Sequence, residues 1–295
     1  MRIGFIGTGT MGTPIAGEFL KAGHLLTVYD IRPEATAALA GQGAAVANSL
    51  EGTAAGAEAV FTSLPGPSEM EAAALDPERG ILATLKPGAA YIDLTTNAPE
   101  TIRLVAAAAQ KRGVAFLDAP VSGRPPNMTV MVGGGTAEFA RCRPLFETIA
   151  KNVFHVGPSG AGIVAKLVTQ YLGYTNFIAA LEGMLAAAKA GIDLGVLAKI
   201  VPVSAGQSRT FDTSIRSVLS RAFASNGSLD IIAKDMELAV NLAREVGAPA
   251  ALGAFALDAY KRAQAQGSGG EGYPAVARIF EAMAGAELRA EWRDE

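Results

Sequence analysis

The stretch GFIGTGTMGTPIAGEFLKAGH, residues 4–24, constrains this chain more than any other. Gly7, Gly9 and Gly12 form G-x-G-x-x-G directly after the strand-like run RIGFI and directly before an amphipathic helix. In that setting each glycine has its own reason. Gly7 permits the tight turn, Gly9 lets the backbone approach a pyrophosphate, and Gly12 lets the helix pack closely on the strand. The helix start, with Thr10 and Met11, presents unpaired N–H groups to phosphate oxygens. The bland alternative, glycines that only join a strand to a helix, is weakened by the acid that follows. Asp30 stands 23 residues past Gly7 (30 − 7), at the end of the next strand-like run, LLTVYD. A carboxylate there hydrogen-bonds the adenosine ribose hydroxyls of NAD and repels the 2′-phosphate of NADP. Arg32 keeps the second option open, because a guanidinium beside that position can hold the phosphate. NAD is the expected cofactor, with NADP possible.

The pattern downstream fits a nucleotide-binding sheet. The runs 25–30, 57–64, 89–94, 114–120, 128–134 and 152–157 read as strands, and stretches such as PETIRLVAAAAQKRG (99–113) read as helices ending at glycine. Alternation of this kind predicts a parallel sheet covered by helices. After Gly157 the strand-like runs stop, and long apolar helical segments are punctuated by GIDLG, SAGQS and GAPA. The expected fold class is therefore an α/β Rossmann-like N-terminal domain with a parallel-rich sheet (1–161), joined through a long helix to an all-α C-terminal domain (162–295). The stretch QGSGGEGYP (266–274) reads as a loop.

Composition narrows the function classes. With 295 residues, half of them hydrophobic, the chain can bury a core in each of about two domains. A net charge of −3 with dispersed basic residues gives no basis for a nucleic-acid partner. One cysteine, Cys142, excludes an intramolecular disulfide, and with only His24 and His155 no zinc site of Cys and His is expected. The start MRIGFIGTG has none of the parts of a secretory signal, so a reducing, cytoplasmic setting is expected. From Ile163 to Ala190 the chain reads as one helix of 28 residues (190 − 163 + 1), about 42 Å long. Gln170, Thr175, Asn176 and Glu182 interrupt its apolar run, which argues against a membrane span. A helix apolar nearly all round must be covered nearly all round, so a homodimer or homotetramer is expected.

Within that helix, GAGIVAKLVTQYLGY carries a single lysine, Lys166. A buried ammonium is costly unless it is paired, neutralised or used, although most lysines escape by snorkelling to the surface. Oxidising an alcohol needs a group that takes the hydroxyl proton as hydride leaves, and the reverse reaction needs a donor to the forming alkoxide. Partial burial lowers a lysine's pKa toward that use. Gln170, four residues on, shares a helix face with Lys166 and can bond the ammonium or a substrate oxygen.

These motifs together resemble the β-hydroxyacid dehydrogenases, a family that includes 3-hydroxyisobutyrate dehydrogenase, tartronate semialdehyde reductase and, more distantly, 6-phosphogluconate dehydrogenase. The resemblance runs from residue 1 to about 285, through GFIGTGTMGTPIA, DAPVSG (118–123) with TVMVGG (129–134), GAGIVAKLV (160–168) and KDMELAV (234–240), in the family's order. It implies a hydride transfer between NAD(P) and a small β-hydroxy acid or its semialdehyde, in a cleft between the two domains. It also implies that Lys166 is catalytic, that Ser122 and Gly123 hold the substrate carboxylate, and that Lys234 lines the cleft near the cofactor. Leu64 and Pro65 resemble the family's cofactor-covering loop, although a plain strand exit reads as well. Thr96, with Thr95, falls where the family contacts the nicotinamide side, although either threonine or Asn97 can instead cap the helix near Pro99. His24, His155 and Cys142 read as structural.

Two departures touch the substrate pocket. Only RPPNM separates Gly123 from Thr129, where the family has a longer loop, and Gln170 stands in place of its usual asparagine. Arg124 offers a second anion-binding fork or a solvated arginine before Pro-Pro. An imine or ketone reductase on the same scaffold and a non-catalytic dinucleotide-binding protein are the alternatives. Retention of Lys166 argues against the first.

Overall fold

A computed structural model of the protein describes residues 1–225 and 227–290. The chain divides into two compact units, Met1–Lys166 and Leu167–Glu295. In the first unit β1 (Arg2–Ile6) is followed by α1 (Gly12–Lys21), β2 (Leu25–Tyr29), a short α2 (Ala37–Ala40) and β3 (Ala45–Val46). Next come α3 (Leu50–Ala54), β4 (Ala59–Thr62), α4 (Pro67–Leu75), α5 (Ile81–Thr84), β5 (Ala90–Asp93), α6 (Pro99–Lys111) and β6 (Ala115–Asp118). The unit closes with β7 (Val121–Ser122), β8 (Thr129–Gly133), α7 (Thr136–Ile149), β9 (Asn152–Gly157) and the start of α8 (Ala161–Lys189).

The strand order is β3-β2-β1-β4-β5-β6-β8-β7, with β9 also on β8. Pairings from β3 to β6 are parallel, and β8 runs antiparallel to β6 and β7. The first six strands thus follow the order 3-2-1-4-5-6, in which ligands bind beyond the carboxyl ends of the strands where the winding reverses. Here that place is the end of β1 beside β4. Both β4 and β5 are buried at every residue, as strands with both faces covered must be. Phe5, Phe19 and Phe61 pack between β1, β4 and α1, with ring centroids 4.8–6.5 Å apart.

The described part of the second unit is helical. Beyond α8 it holds α9 (Leu194–Ile200), α10 (Arg209–Leu219), α11 (Leu229–Glu245), α12 (Ala251–Ala263) and α13 (Ala277–Ala284). The punctuation in the sequence becomes helix caps. Asp193 of GIDLG accepts from the Gly195 and Val196 amides, and Ser208 of SAGQS from the Phe211 amide. The core of this unit joins Phe177, Leu181 and Met184 of α8 to Phe211, Met236, Val240, Tyr260 and Tyr273.

Two short strands lie outside the expected runs, and two local readings need correction. The two-residue strands β3 and β7 were not legible, because two residues cannot display an alternation. The stretch expected as a loop at 266–274 begins inside a π-helical turn, Gln264–Ser268, that follows α12 and is broken at Gly267 (φ +89°), and it ends in the 3-10 turn Tyr273–Val276. Neither threonine nor Asn97 caps α6 from its side chain at the N-cap position, which Ala98 occupies.

Candidate active site

The glycine turn is shaped for a dinucleotide. Gly7 has φ +90°, and a Cβ on it would lie 2.2 Å from the Ser63 carbonyl oxygen. A Cβ on Gly12 would lie 1.9 Å from the Gly7 oxygen. These two glycines are fixed by the protein's own packing. Gly9 is different, since a Cβ there would meet nothing closer than Arg32 Nη2 at 3.9 Å. Its missing side chain leaves open space above the turn. Thr10 is exposed and Met11 half-buried at the start of α1, where no side chain caps the helix and the first turn holds no acid. The dipole end and its amides thus suit an anion. Asp30 is held against this turn. One carboxylate oxygen accepts from the Thr8 amide (2.8 Å) and the other from the Arg32 amide (2.9 Å). The exposed Arg32 guanidinium lies 3.6 Å from Asp30.

The ends of β4, β5 and β6 are tied by two buried carboxylates that the sequence reading missed. Asp93 closes β5, is wholly buried, and accepts from Thr62 Oγ1 (2.7 Å), Asn97 Nδ2 (3.1 Å) and the Thr95 amide (3.2 Å). Thr95 Oγ1 in turn accepts from the Leu64 amide at 3.0 Å. The Leu64–Pro65 loop and the Thr95–Thr96 loop are therefore fastened side by side, with Thr96 half-buried between buried neighbours. Burial raises the Asp93 carboxyl above its ordinary range, against the pull of its hydrogen bonds. Asp118 closes β6. Its two oxygens accept from the Gly160 amide (2.7 Å) and the Ile163 amide (2.9 Å), so it caps α8 from across the fold. Burial pushes its carboxyl up to about 6, opposed by those two bonds and assisted by the charge of Asp93.

Lys166 does not snorkel. It is 7% exposed, and its Nζ donates to the Val121 carbonyl oxygen at 2.8 Å. Ser122, Gly123 and Arg124 directly follow Val121 and are exposed. Gly123 has φ +86°, a left-handed conformation that favours glycine.

In the second unit, Gln170 and Lys234 meet on one buried acid. Gln170 Nε2 donates to Asp235 Oδ2 at 2.6 Å, and Lys234 Nζ lies 2.8 Å from Asp235 Oδ1. Tyr174, one turn beyond Gln170, has its hydroxyl pKa raised first by burial and then by the Asp235 charge, while a hydrogen bond with Gln170 works the other way. Asp235 was visible only as the neighbour of Lys234 in KDMELAV. For Asp93 and Asp118 the available signal was an acid closing each of two apolar runs, AAYID and VAFLD.

Among the described residues no group of three or more His, Cys, Asp or Glu is placed to hold a metal ion. None of their helices is long and apolar enough to cross a membrane.

Residues 2–157 match the family model of the NAD binding domain of 6-phosphogluconate dehydrogenase. Residues 160–280 match that described as NAD-binding of NADP-dependent 3-hydroxyisobutyrate dehydrogenase. The chain is 34% identical to the NAD-dependent L-serine dehydrogenase of Pseudomonas aeruginosa, over 96% of this chain and 99% of that one. It is 38% identical to the 3-hydroxyisobutyrate dehydrogenase of the same organism, over 86% of this chain and 89% of that one. The crystal structure of 3-hydroxyisobutyrate dehydrogenase from Salmonella typhimurium superposes with a TM-score of 0.86 at 31% identity, covering 95% of this chain and 100% of the other. With a glycine turn built for a dinucleotide and kinship along nearly its whole length to hydroxyacid dehydrogenases, the chain belongs to the β-hydroxyacid dehydrogenase family and is an oxidoreductase that uses a nicotinamide dinucleotide.

Proposed function

We propose that the protein interconverts a small β-hydroxy acid and its semialdehyde, prefers NAD, and uses Lys166 as the general acid and base. The observation that carries this reading is the place of Lys166, a buried ammonium held by the Val121 carbonyl at the threshold of Ser122 and Gly123. In this reading Gly7, Gly9, Thr10, Met11 and Gly12 hold the pyrophosphate, and Asp30 takes the adenosine ribose with Arg32 beside it. Leu64 and Pro65 cover the cofactor, Thr96 meets its nicotinamide side, and Lys234 is assigned to the cofactor. When bound, the nicotinamide ring accepts or delivers the hydride. The rest is the work of the side chains. Lys166 as the neutral amine takes the substrate hydroxyl proton, and as the ammonium returns it to the forming alkoxide. Ser122 and the Gly123 amide bind the substrate carboxylate, and Arg124 adds charge next to them. Gln170 is assigned to the substrate, with residues 1–161 as the cofactor domain and 162–295 as the substrate domain.

The test is a panel of 3-hydroxyisobutyrate, L-serine and related hydroxy acids with NAD and NADP, followed by NADH absorbance, with imines and ketones as controls. Lys166→Ala should retain NADH binding and lower kcat by about 10²–10⁴-fold on the active substrate. Turnover by that variant at the wild-type rate overturns the assignment.

We also infer a homodimer or homotetramer. Val164, Val168 and Leu172, spaced one turn apart on α8, are 38, 49 and 53% exposed, an apolar stripe on a helix with few charges. Light scattering at micromolar concentration should give a multiple of the 30.2 kDa chain mass.

A further inference from the structure

Lys166 is useful only at a fixed depth, and the structure contains a device that sets that depth. Two short segments face each other, residues 118–121 and residues 160–166, and they touch at two points. Asp118 holds the Gly160 and Ile163 amides, and three residues further along both segments the Val121 carbonyl receives Lys166 Nζ. The segment between Asp118 and Val121 cannot drift, because the Ala119 amide donates to Asp93 O (2.7 Å) and Pro120 O accepts from the Met131 amide (3.1 Å). The helix comes close enough for this only because side chains are missing. A Cβ on Gly162 would lie 2.4 Å from the Met131 oxygen and 2.5 Å from the Asp118 carbonyl oxygen. A Cβ on Gly133 would lie 2.4 Å from the Asp118 carboxylate. The first turn of α8 thus sits backbone against backbone on β6 and β8, and its end is closed by a carboxylate rather than left open to an anion.

We propose that Asp118 is a positioning residue for Lys166: by clamping the first turn of α8 to the end of β6, its carboxylate fixes where the ammonium stands relative to Val121 and the substrate-binding stretch that follows. This rests on Lys166 being the proton carrier. The clamp has an electrostatic side as well. The Asp118 carboxylate stands at the positive end of the α8 dipole, within two turns of Lys166. The charged group facing Asp118 from the neighbouring strand is Asp93 on β5. Asp118 is therefore a second determinant of the reaction, acting through Lys166 without touching the substrate.

Asp118→Asn tests the assignment, since an amide can accept at one oxygen only and turns donors toward the other helix amide. With 3-hydroxyisobutyrate and NAD as the assay, kcat should fall by about 10–100-fold, the scale of a misplacement of about 1 Å. NADH affinity by fluorescence should be unchanged. Removing the negative charge should move the titration of Lys166, read by NMR of its labelled Nζ in the cofactor-free protein, toward acid by about half a unit. In a Lys166→Ala background the same substitution should cost little further rate. Asp118→Ser, which keeps one acceptor in a smaller side chain, serves if the asparagine variant does not fold. A wild-type rate in a folded Asp118 variant, an unmoved Lys166 titration, or an equal loss of rate with and without Lys166 overturns the proposal. Loss of the fold in both variants does too, since it would make Asp118 part of the core alone. A fully active Lys166→Ala enzyme would instead remove the mechanism on which the inference rests.

Discussion

Asp93 and Asp118 are register partners at the carboxyl ends of adjacent parallel strands, so two buried carboxylates stand side by side at the edge of the sheet. Each is surrounded by donors, Asp93 by Thr62, Thr95 and Asn97, and Asp118 by the start of α8. Those donors do not outweigh the loss of water, and both carboxyls titrate above their ordinary range. The two acids also repel, since the Asp93 charge helps raise the Asp118 carboxyl, and the two loops and one helix they fasten are the ones that carry Leu64, Thr96 and Lys166.

The upward shift has a definite consequence for stability. Asp118 titrates near 6 in the folded chain against an ordinary 3.8. Between those values the folded state binds more protons than the unfolded one, so stability from this group is present below about 4 and is lost as pH rises through about 6. Denaturant unfolding of wild type and Asp118→Asn between pH 4 and pH 8 should show the wild-type advantage shrinking with rising pH, by at most about 3 kcal/mol. Asp93 shifts in the same direction and is coupled to Asp118, so part of the difference belongs to the pair. An advantage that grows with pH would show that the carboxylate is stabilised on folding, contrary to this account.

The glycine turn separates folding from binding. Gly12→Ala places a methyl against the Gly7 carbonyl and should destabilise the protein by about 1–3 kcal/mol. Gly9→Ala meets only open space and should leave the melting temperature nearly unchanged. Its methyl nevertheless stands where the proposed reading puts the pyrophosphate, so NADH should bind about tenfold more weakly or worse. Thermal unfolding and NADH fluorescence read the two effects independently. Undiminished binding in Gly9→Ala would place the pyrophosphate elsewhere.

Asp30 braces the glycine turn and, in the proposed reading, also takes the adenosine ribose, so the experiment must separate the two. Because its carboxylate also accepts from the Thr8 amide, Asp30→Ala loosens the turn and should weaken both dinucleotides. The ribose contact belongs to NAD alone, so the ratio of NAD to NADP affinity should still fall, by about 1–3 kcal/mol. Calorimetric titration with both cofactors measures the ratio. If the unsubstituted protein binds NADPH more tightly, Arg32 rather than Asp30 governs the choice.

The Gln170 amide nitrogen donates to the buried Asp235 carboxylate. Asparagine is one methylene shorter. Gln170→Asn should therefore release one donor from a buried carboxylate, cost about 1–3 kcal/mol of stability, and change the order of preference among hydroxy acids more than it changes NADH affinity. Urea unfolding and kcat/KM for two or more substrates test both halves. Unaltered preference would mean that the residue serves the helix packing only.

Features encoded in short spans were legible in the sequence. The G-x-G-x-x-G turn, the acid 23 residues later (30 − 7), the breaks at GIDLG and SAGQS, and one lysine in an apolar helix are all written within a strand, a turn or a helix, where local sterics and periodicity decide the structure. Tertiary structure alone decided which groups answer those features. Asp118 meets Gly160 and Ile163 across 42 and 45 residues of chain, Lys166 meets Val121 across 45, and Gln170 meets Asp235 across 65. No periodicity connects residues that far apart. A buried donor or acceptor must find a partner, but which partner it finds depends on how sheet and helices pack, and that is settled only when the whole core closes.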